Sequence, residues 1–141
     1  MSLSLERISE RVARNGDPNH PETPRPLLSL AEFFEGNEVM GSIGCNLPSA
    51  PGPQELYEVF KSIARRPEVV DIRVSVTAFD DPDWPFSDTV YVVTSASAEE
   101  VANWFAIDLA PDETWAGFSS HQSHESYSVP PGFTAVGCWW D

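Results

Sequence analysis

The strict alternation of apolar and polar residues over positions 69–79 is the feature that most constrains the fold of this chain. The apolar members of the pattern are Val70, Ile72, Val74, Val76 and Ala78, and the polar members between them are Asp71, Arg73, Ser75 and Thr77. A period of two indicates a β-strand with one buried face and one wet face, as antiparallel sheets have. Residues 89–95 are apolar on both faces, so they are predicted to return as a central strand after the proline-rich turn at residues 80–87.

Helical signals occur at three places around these strands. Two are capping boxes, in which a serine is followed three residues later by a glutamate, and the third is an apolar stripe at helical spacing behind Pro53. The helices predicted from these signals cover residues 30–35, 97–106 and 53–66. Two further strands are predicted at residues 42–47 and 134–140. From the strand at 42–47 onward, the regular core reads β-α-β-β-α-β.

That order is typical of the ferredoxin-like split βαβ fold, an α+β fold in which a four-stranded antiparallel sheet carries two helices on one face. The predicted topology pairs the last strand with the first and places Cys45 and Cys138, as reduced thiols, on neighbouring strands. Residues 107–132 show no regular period and are rich in Ser, Pro and Gly. They are predicted to form a long loop that lies across the domain before the last strand, with Trp115 and Phe118 as anchors.

The first 26 residues differ from the rest in composition. Apolar residues at helical spacing predict a helix over residues 4–14, and four prolines within residues 17–26 hold the following chain extended. The chain is therefore predicted to divide into an N-terminal helix with a proline-rich linker, residues 1–26, and a single α+β domain, residues 27–141.

Charge is distributed unevenly along the chain. All eight Lys and Arg residues lie within residues 1–73, whereas residues 74–141 contain eleven of the 22 acidic residues, and the net charge is −14. Such a surface repels nucleic acids and anionic membranes, because contacts to phosphate depend on Lys and Arg. It attracts a basic protein partner. The simpler interpretation, that the charge only keeps the protein in solution, stays open.

The sequence lacks the motifs of membrane insertion, secretion and common cofactor chemistry. No apolar run approaches the ~20 residues that span a bilayer, and residues 1–14 are amphipathic and charged, unlike a signal peptide. A phosphate-binding glycine loop, a nucleophile elbow and a dinucleotide fingerprint are all absent. We therefore expect a cytoplasmic protein without a cofactor, and we favour a noncatalytic role.

The turn at residues 80–88 concentrates four aspartates around Trp84. Such density can indicate a cation site, but the turn lacks the glycine and the final glutamate of calcium loops, so no metal is expected. Either Trp84 and Phe86 close the end of the core while the aspartates stay in water, or the turn is an acidic rim around an aromatic anchor of the kind found at binding hot spots. The predicted partner-binding residues are Asp80, Asp81, Asp83, Trp84, Asp88, Glu99 and Glu100.

An alternative site is predicted as a pocket between the sheet and the 107–132 loop. Its residues are Tyr91, Trp115, His121 and His124. The two histidines have the spacing of some zinc pairs, although a loop does not guarantee the required geometry. Of Trp139 and Trp140, one must face the helices and the other the opposite face of the sheet. The loop, the N-terminal helix or, in a homodimer, a second copy of the sheet would cover that second tryptophan.

Residues 41–46, residues 84–95 and the closing Trp139-Trp140-Asp141 resemble small acidic bacterial proteins of unassigned function, with a loose similarity to toxin-immunity types. The resemblance implies a binding protein that neutralises a partner. The leading hypothesis is thus a noncatalytic acidic protein that engages a basic protein, such as a nuclease toxin. The alternative is a small cofactor-independent enzyme or small-ligand-binding protein that uses the pocket.

Overall fold

A computed structural model describes residues 3–141. Met1 and Ser2, which begin the predicted appendage at residues 1–26, lie outside the described residues. In chain order the elements are α1 (Leu3–Ala13), β1 (Leu27–Ser29), α2 (Leu30–Phe34), α3 (Pro53–Ala64), β2 (Val69–Ser75), β3 (Thr89–Thr94), α4 (Ala98–Ala102), β4 (Glu113–Ala116) and β5 (Thr134–Trp139).

The described strands form one sheet in the order β1-β2-β3-β5-β4, with every neighbouring pair antiparallel. The last strand, β5, pairs with β3 on one side and with β4 on the other. The predicted four-stranded ferredoxin-like arrangement is therefore not confirmed, since it pairs the last strand with a strand at residues 42–47. The coarser prediction, an α+β fold built on an antiparallel sheet, is confirmed.

Residues 42–47 form turns instead of the predicted first strand. Gly41 and Gly44 adopt φ angles of +82° and +64°, which an extended strand excludes. A side chain at Gly44 would also meet two leucine side chains at 3.0 and 3.1 Å. Ile43 is nevertheless buried in the core. The alternation in this segment therefore comes from a compact turn that buries one apolar side chain.

The strand β2 occupies the first part of the predicted alternating segment and ends at Ser75. A register shift between Val69 and Asp71 turns Val70 outward, where it is 49% exposed. The opposite face, predicted to be wet, is covered by a later segment of the chain. Ser75 is buried, and the Tyr127 hydroxyl donates a 2.5 Å hydrogen bond to Asp71 Oδ2.

The helices α2, α3 and α4 and the strands β3 and β5 lie where the sequence predicts them, with ends that differ by a few residues. Both predicted capping boxes form, at the start of α2 and of α4. The helix α4 is shorter than predicted, because Asn103 serves as its C-cap and turns follow. No helix within residues 3–141 is long and apolar enough to cross a membrane.

The helices pack on one face of the sheet and form the main hydrophobic core. Aromatic residues fill its centre: the Trp140 ring lies 5.8 Å from Phe60 and 5.7 Å from Phe105, centroid to centroid. Trp84 closes one end, where its indole N–H donates a 3.0 Å hydrogen bond to the Phe33 carbonyl. Each of these rings is at least nine-tenths buried. Of the final tryptophan pair, Trp140 is thus the one that faces the helices.

Residues 117–133 cover the opposite face of the sheet and form a second, smaller apolar cluster. The buried members of this cluster are Leu27, Tyr91, Val93 and Ala135, and the partly buried members that pack on them are Trp115, Phe118, Tyr127, Val129 and Phe133. The predicted long loop therefore does lie across the domain, anchored by Trp115 and Phe118. It contains one element that was not predicted, the edge strand β4.

The N-terminal helix α1 is packed into the domain at the β1 edge. Ile8 and Val12 belong to the main core. Arg11 forms ion pairs with Glu32 at 3.1 Å and with Glu125 at 2.6 Å, and it also donates to the Leu27 carbonyl. The Arg11 and Glu125 side chains are only 11% and 23% exposed. This contact links α1 to residues 117–133, which we call the covering segment, on the far side of β1.

We predict that Glu125→Gln lowers the free energy of unfolding at neutral pH by about 1–3 kcal/mol, because a partly buried charge pair loses one partner. Burial alone would raise the pKa of Glu125, but hydrogen bonds from Arg11 and Asn15 outweigh it and hold the pKa below its ordinary value of 4.5. The stabilisation by the charge pair is therefore complete above pH 4.5, and it is lost as the pH falls through the lowered pKa that Glu125 has in the folded state.

Urea denaturation of the wild type and the variant at neutral pH and in strong acid measures this difference. The exposed Glu22, which forms no ion pair within the described residues, provides the matched control Glu22→Gln. A loss of stability at Glu125 no larger than the loss at Glu22 would contradict the role of the contact.

Candidate functional site

The structure does not gather the predicted acidic residues into one surface. Asp80, Asp81 and Asp83 are exposed in the turn before β3, whereas Glu99 and Glu100 are exposed in α4, after β3 has ended. A six-residue strand spans roughly 17–20 Å, so the two groups lie at opposite ends of the sheet.

The two remaining residues of the predicted acidic surface occupy different environments. Trp84 is buried in the main core and is only 3% exposed. Asp88 is half-buried on the opposite side of the sheet, where it accepts hydrogen bonds from the hydroxyls of Thr77 and Thr89, both at 2.8 Å. Neither is placed as the exposed aromatic or acidic contact of a binding rim.

A cavity of about 200 Å³ lies between the sheet and the covering segment. Its floor is formed by side chains from strands β2 to β5, all on the face opposite the helices. The residues that line it are Arg25, Ser75, Thr77, Asp88, Thr89, Tyr91, Trp115, Ser119, Gln122, His124 and Trp139. The structure thus brings together three of the four residues predicted for the pocket, Tyr91, Trp115 and His124.

His121, the fourth predicted residue, lines an adjoining open groove of about 560 Å³. The groove shares three walls with the cavity, namely Trp115, Ser119 and Trp139. Phe118 adds an apolar surface to it. The whole cleft therefore has a polar inner chamber and a more apolar outer part.

An aromatic row across three strands shapes the cavity. Gly137 lies on β5 between Tyr91 of β3 and Trp115 of β4 in the sheet register. The Trp115 indole lies directly on the Gly137 backbone, since a Cβ there would come within 2.3 Å of the ring. The ring then meets Tyr91 edge to face, with centroids 6.2 Å apart. A glycine at position 137 is required for this arrangement.

Arg25 is the cation of the cavity. Its Nε donates to Gln122 at 2.9 Å, and its Nη1 donates to the carbonyl oxygens of Val76 and Thr77. None of the ion pairs among residues 3–141 includes Arg25, and its Nη2 makes no hydrogen bond to that part of the chain. One edge of a half-buried guanidinium thus remains available.

The position of Arg25 is fixed by its backbone. It stands between Pro24 and Pro26, and its N–H and carbonyl bond to Ser123 and Glu125 as a parallel β-bridge with His124. The covering segment is therefore joined directly to the residue that carries the charge. Arg25 is not among the residues predicted from the sequence, where its only local signal is an arginine held extended by two prolines.

Trp115 has an unsatisfied hydrogen-bond donor. Its Nε1 is buried and has no hydrogen-bond partner in residues 3–141. The Tyr91 hydroxyl is the nearby polar group: the indole N–H acts to lower the pKa of Tyr91, although the two atoms do not form a hydrogen bond of full geometry. That hydroxyl accepts a 3.1 Å hydrogen bond from the Ser119 N–H. Unpaired buried donors are rare in folded proteins and need a specific explanation.

Two titratable side chains of the cavity, His124 and Tyr91, are neutral near neutral pH, whereas Arg25 is charged. Burial, together with the charge of Arg25, lowers the pKa of His124 below its ordinary 6.5, so the ring is uncharged. Burial raises the pKa of Tyr91 above 10, so the hydroxyl keeps its proton. Burial also lowers the pKa of Arg25 from 12.5, yet a guanidinium stays protonated in proteins.

The cysteines stand apart from the cavity and from each other in the fold. Cys45 is exposed in the turns after α2, Cys138 is buried in β5, and both are free. The prediction that they lie on neighbouring strands is wrong, because residues 42–47 form no strand. Burial raises the pKa of Cys138 to about 12, which makes it an unreactive thiol. Residues 3–141 contain no group of three His, Cys, Asp or Glu residues that could hold a metal ion.

Fold and site define an α+β protein in which a five-stranded antiparallel sheet and its covering segment enclose a donor-rich polar cavity. The chain belongs to the family described as "Uncharacterized protein YfbO family", whose model matches residues 3–138. It is 51% identical over 137 residues to "Uncharacterized protein YfbO" of Escherichia coli strain K12. The aligned region covers 97% of this chain and 98% of the relative. No solved structure gives a significant match.

These comparisons agree with the expected resemblance to bacterial proteins of unassigned function. They do not extend to the toxin-immunity similarity.

We predict that Gly137→Ala destabilises the protein by about 1–3 kcal/mol, because the new methyl group forces the Trp115 ring away from the β5 backbone. The same change in a Trp115→Ala background should cost clearly less, since the clashing ring is gone. Chemical denaturation of the two single variants and the double variant measures this coupling. Additive effects would show that the ring does not depend on the glycine.

Proposed function

We propose that the protein binds a small molecule in the cavity between the sheet and residues 117–133. The observation that carries this proposal is the half-buried Arg25 guanidinium in the wall of the cavity, whose Nη2 has no acceptor in the described chain. A hydrogen bond to a charged group contributes about 1.5–3 kcal/mol. A ligand that supplies an acceptor at Nη2 would gain free energy of this order in binding.

The construction of the cavity also supports a binding role. Its floor is a regular sheet, and its roof is held through the Arg25 backbone bridge and the Arg11–Glu125 ion pair. A pocket built on fixed elements binds without first ordering its walls. A catalytic role receives less support, because none of the hydrogen bonds found in residues 3–141 joins Ser75 or Ser119, the serines of the cavity, to His124.

Ser119→Trp should abolish ligand binding, because Ser119 is a wall of both the cavity and the outer groove. The matched control is Ser128→Trp, which places the same side chain at an exposed site of the same segment that lines neither cavity nor groove. Ligand-observed NMR with a library of small anionic, cationic and neutral compounds should give binders with the wild type and with the control. These signals should disappear with Ser119→Trp. A library without binders, or binders that Ser119→Trp leaves unchanged, would contradict the proposal.

A second candidate function is the engagement of a basic protein partner, of which neutralisation of a toxin is one form. The observation that favours it is the turn before β3, where three exposed carboxylates form no ion pair within the described chain and stand beside the buried anchor Trp84. A fixed acidic turn of this kind can steer a basic partner. Glu99 and Glu100 would form a separate acidic site at the other end of the sheet.

A pull-down from lysate at low ionic strength should recover a basic protein, and charge reversal of the turn should release it. The variant is Asp80→Lys, Asp81→Lys and Asp83→Lys, and its control is reversal of the equally exposed Glu22, Glu35 and Glu38. Recovery of no basic protein, or binding that survives reversal of the turn unchanged, would exclude this function.

A further inference from the structure

We infer that the ligand is a small carboxylic acid with one negative charge and a flat apolar tail, its carboxylate bound at Arg25 and its tail in the outer groove. This inference rests on the proposed ligand-binding function and adds the chemical class of the ligand.

The free hydrogen-bonding groups of the cavity are mainly donors. Arg25 Nη2 has no acceptor in residues 3–141, and the Tyr91 hydroxyl accepts a hydrogen bond from the Ser119 N–H while its own hydrogen finds no acceptor there. A carboxylate offers about four lone-pair sites on two oxygens. Arginine binds such a group in a planar, charge-assisted geometry. A donor-rich wall around a guanidinium therefore selects an anion.

The charge balance of the cavity favours one negative charge over two. Asp88 is the one carboxylate that lines it, and two threonine hydroxyls hold the oxygen Oδ1 in place. The Arg25 guanidinium and the Asp88 carboxylate have opposite formal charges, so the formal net charge of the lining is zero. A bound monoanion adds one negative charge near a fixed guanidinium, whereas a dianion such as a phosphate monoester adds two charges beside Asp88. Like charges in a poorly solvated site repel strongly.

The dimensions of the cleft select the rest of the ligand. A cavity of about 150 Å³ can hold a benzene molecule, so the inner chamber of about 200 Å³ accepts a carboxylate with little more than one ring. The outer groove continues past the shared walls Trp115 and Trp139 to Phe118. Aromatic walls favour a flat apolar group that can stack against them.

The test uses four probes of matched shape, namely benzoate, its neutral isostere benzamide, its truncated analogue acetate, and the dianion phenyl phosphate. In titration calorimetry with the full chain at neutral pH, benzoate should bind at least about tenfold more tightly than benzamide, which is the effect of one charge-assisted hydrogen bond. Acetate should bind at least about tenfold more weakly than benzoate, because it buries no ring. Phenyl phosphate should bind more weakly than benzoate.

Two variants test the assignment of the charges. Arg25→Gln should lower benzoate affinity at least about tenfold, to that of benzamide, and leave benzamide affinity unchanged. Because Arg25 also holds the Thr77 carbonyl and Gln122, its variant could fail to fold, which thermal denaturation reveals. Asp88→Asn keeps the shape of the site and gives an independent answer. It should raise the affinity for benzoate and raise that for phenyl phosphate by a larger factor.

The failure of this inference is distinct from the failure of the proposed function. If benzamide or phenyl phosphate binds as tightly as benzoate, or if Asp88→Asn weakens benzoate binding, the ligand class is wrong, while binding that Ser119→Trp abolishes still supports a ligand site. If none of the probes binds, this inference is overturned. The library experiment with Ser119→Trp and Ser128→Trp then decides separately whether the cavity binds any ligand.

Discussion

The packing of residues 117–133 onto the sheet face opposite the helices is the contact on which the rest of the structure depends. Without it, Tyr91, Val93 and Ala135 would be exposed on a bare sheet. The segment is held at its middle by Glu125, which pairs with Arg11 of α1. One charge pair therefore links the N-terminal helix, the edge strand β1 and the roof of the cavity. A homodimer through this sheet face stays a prediction, and it would require the segment to move away.

The cavity exists because this second layer is a single irregular segment. Helices pack tightly on a sheet: on the other face, Phe60 of α3 contacts Trp140, which follows β5. An irregular segment leaves gaps where its backbone turns. The gap lies beside the row formed by Tyr91, Gly137 and Trp115. The large rings of Tyr91 and Trp115 separate the covering segment from the ends of the strands. Polar groups from the strand ends then line the gap, and some of them stay unpaired. Natural proteins keep such local conflicts chiefly where function requires them.

The central elements could be predicted because their signals are local. Periodicity and capping boxes located the helices α2 to α4 and the strands β2, β3 and β5, whereas β1 and β4 have three and four residues, too few to show a period. The turns at residues 42–47 imitate a strand because alternation does not report the positive φ angles of their glycines. Tyr91, Trp115 and His124 were predicted as a pocket because aromatic and titratable residues stood out around a long loop. Arg25 was not, since only a long-range backbone bridge brings it there.

The net negative charge of the chain does not prevent the cavity from binding an anion. A protein with a net charge of −14 repels anions at long range, but salt screens exposed charges beyond about 10 Å at 0.1 M ionic strength. Inside the cavity the nearest charged groups, Arg25 and Asp88, decide. Arg11 and Arg73 do not line the cavity and are paired with carboxylates of their own. Arg25 is instead held by carbonyl and amide oxygens, which fix its position without neutralising it. An acidic surface around a covered site, whose arginine forms no ion pair within residues 3–141, discourages adventitious anions and still admits one whose shape fits.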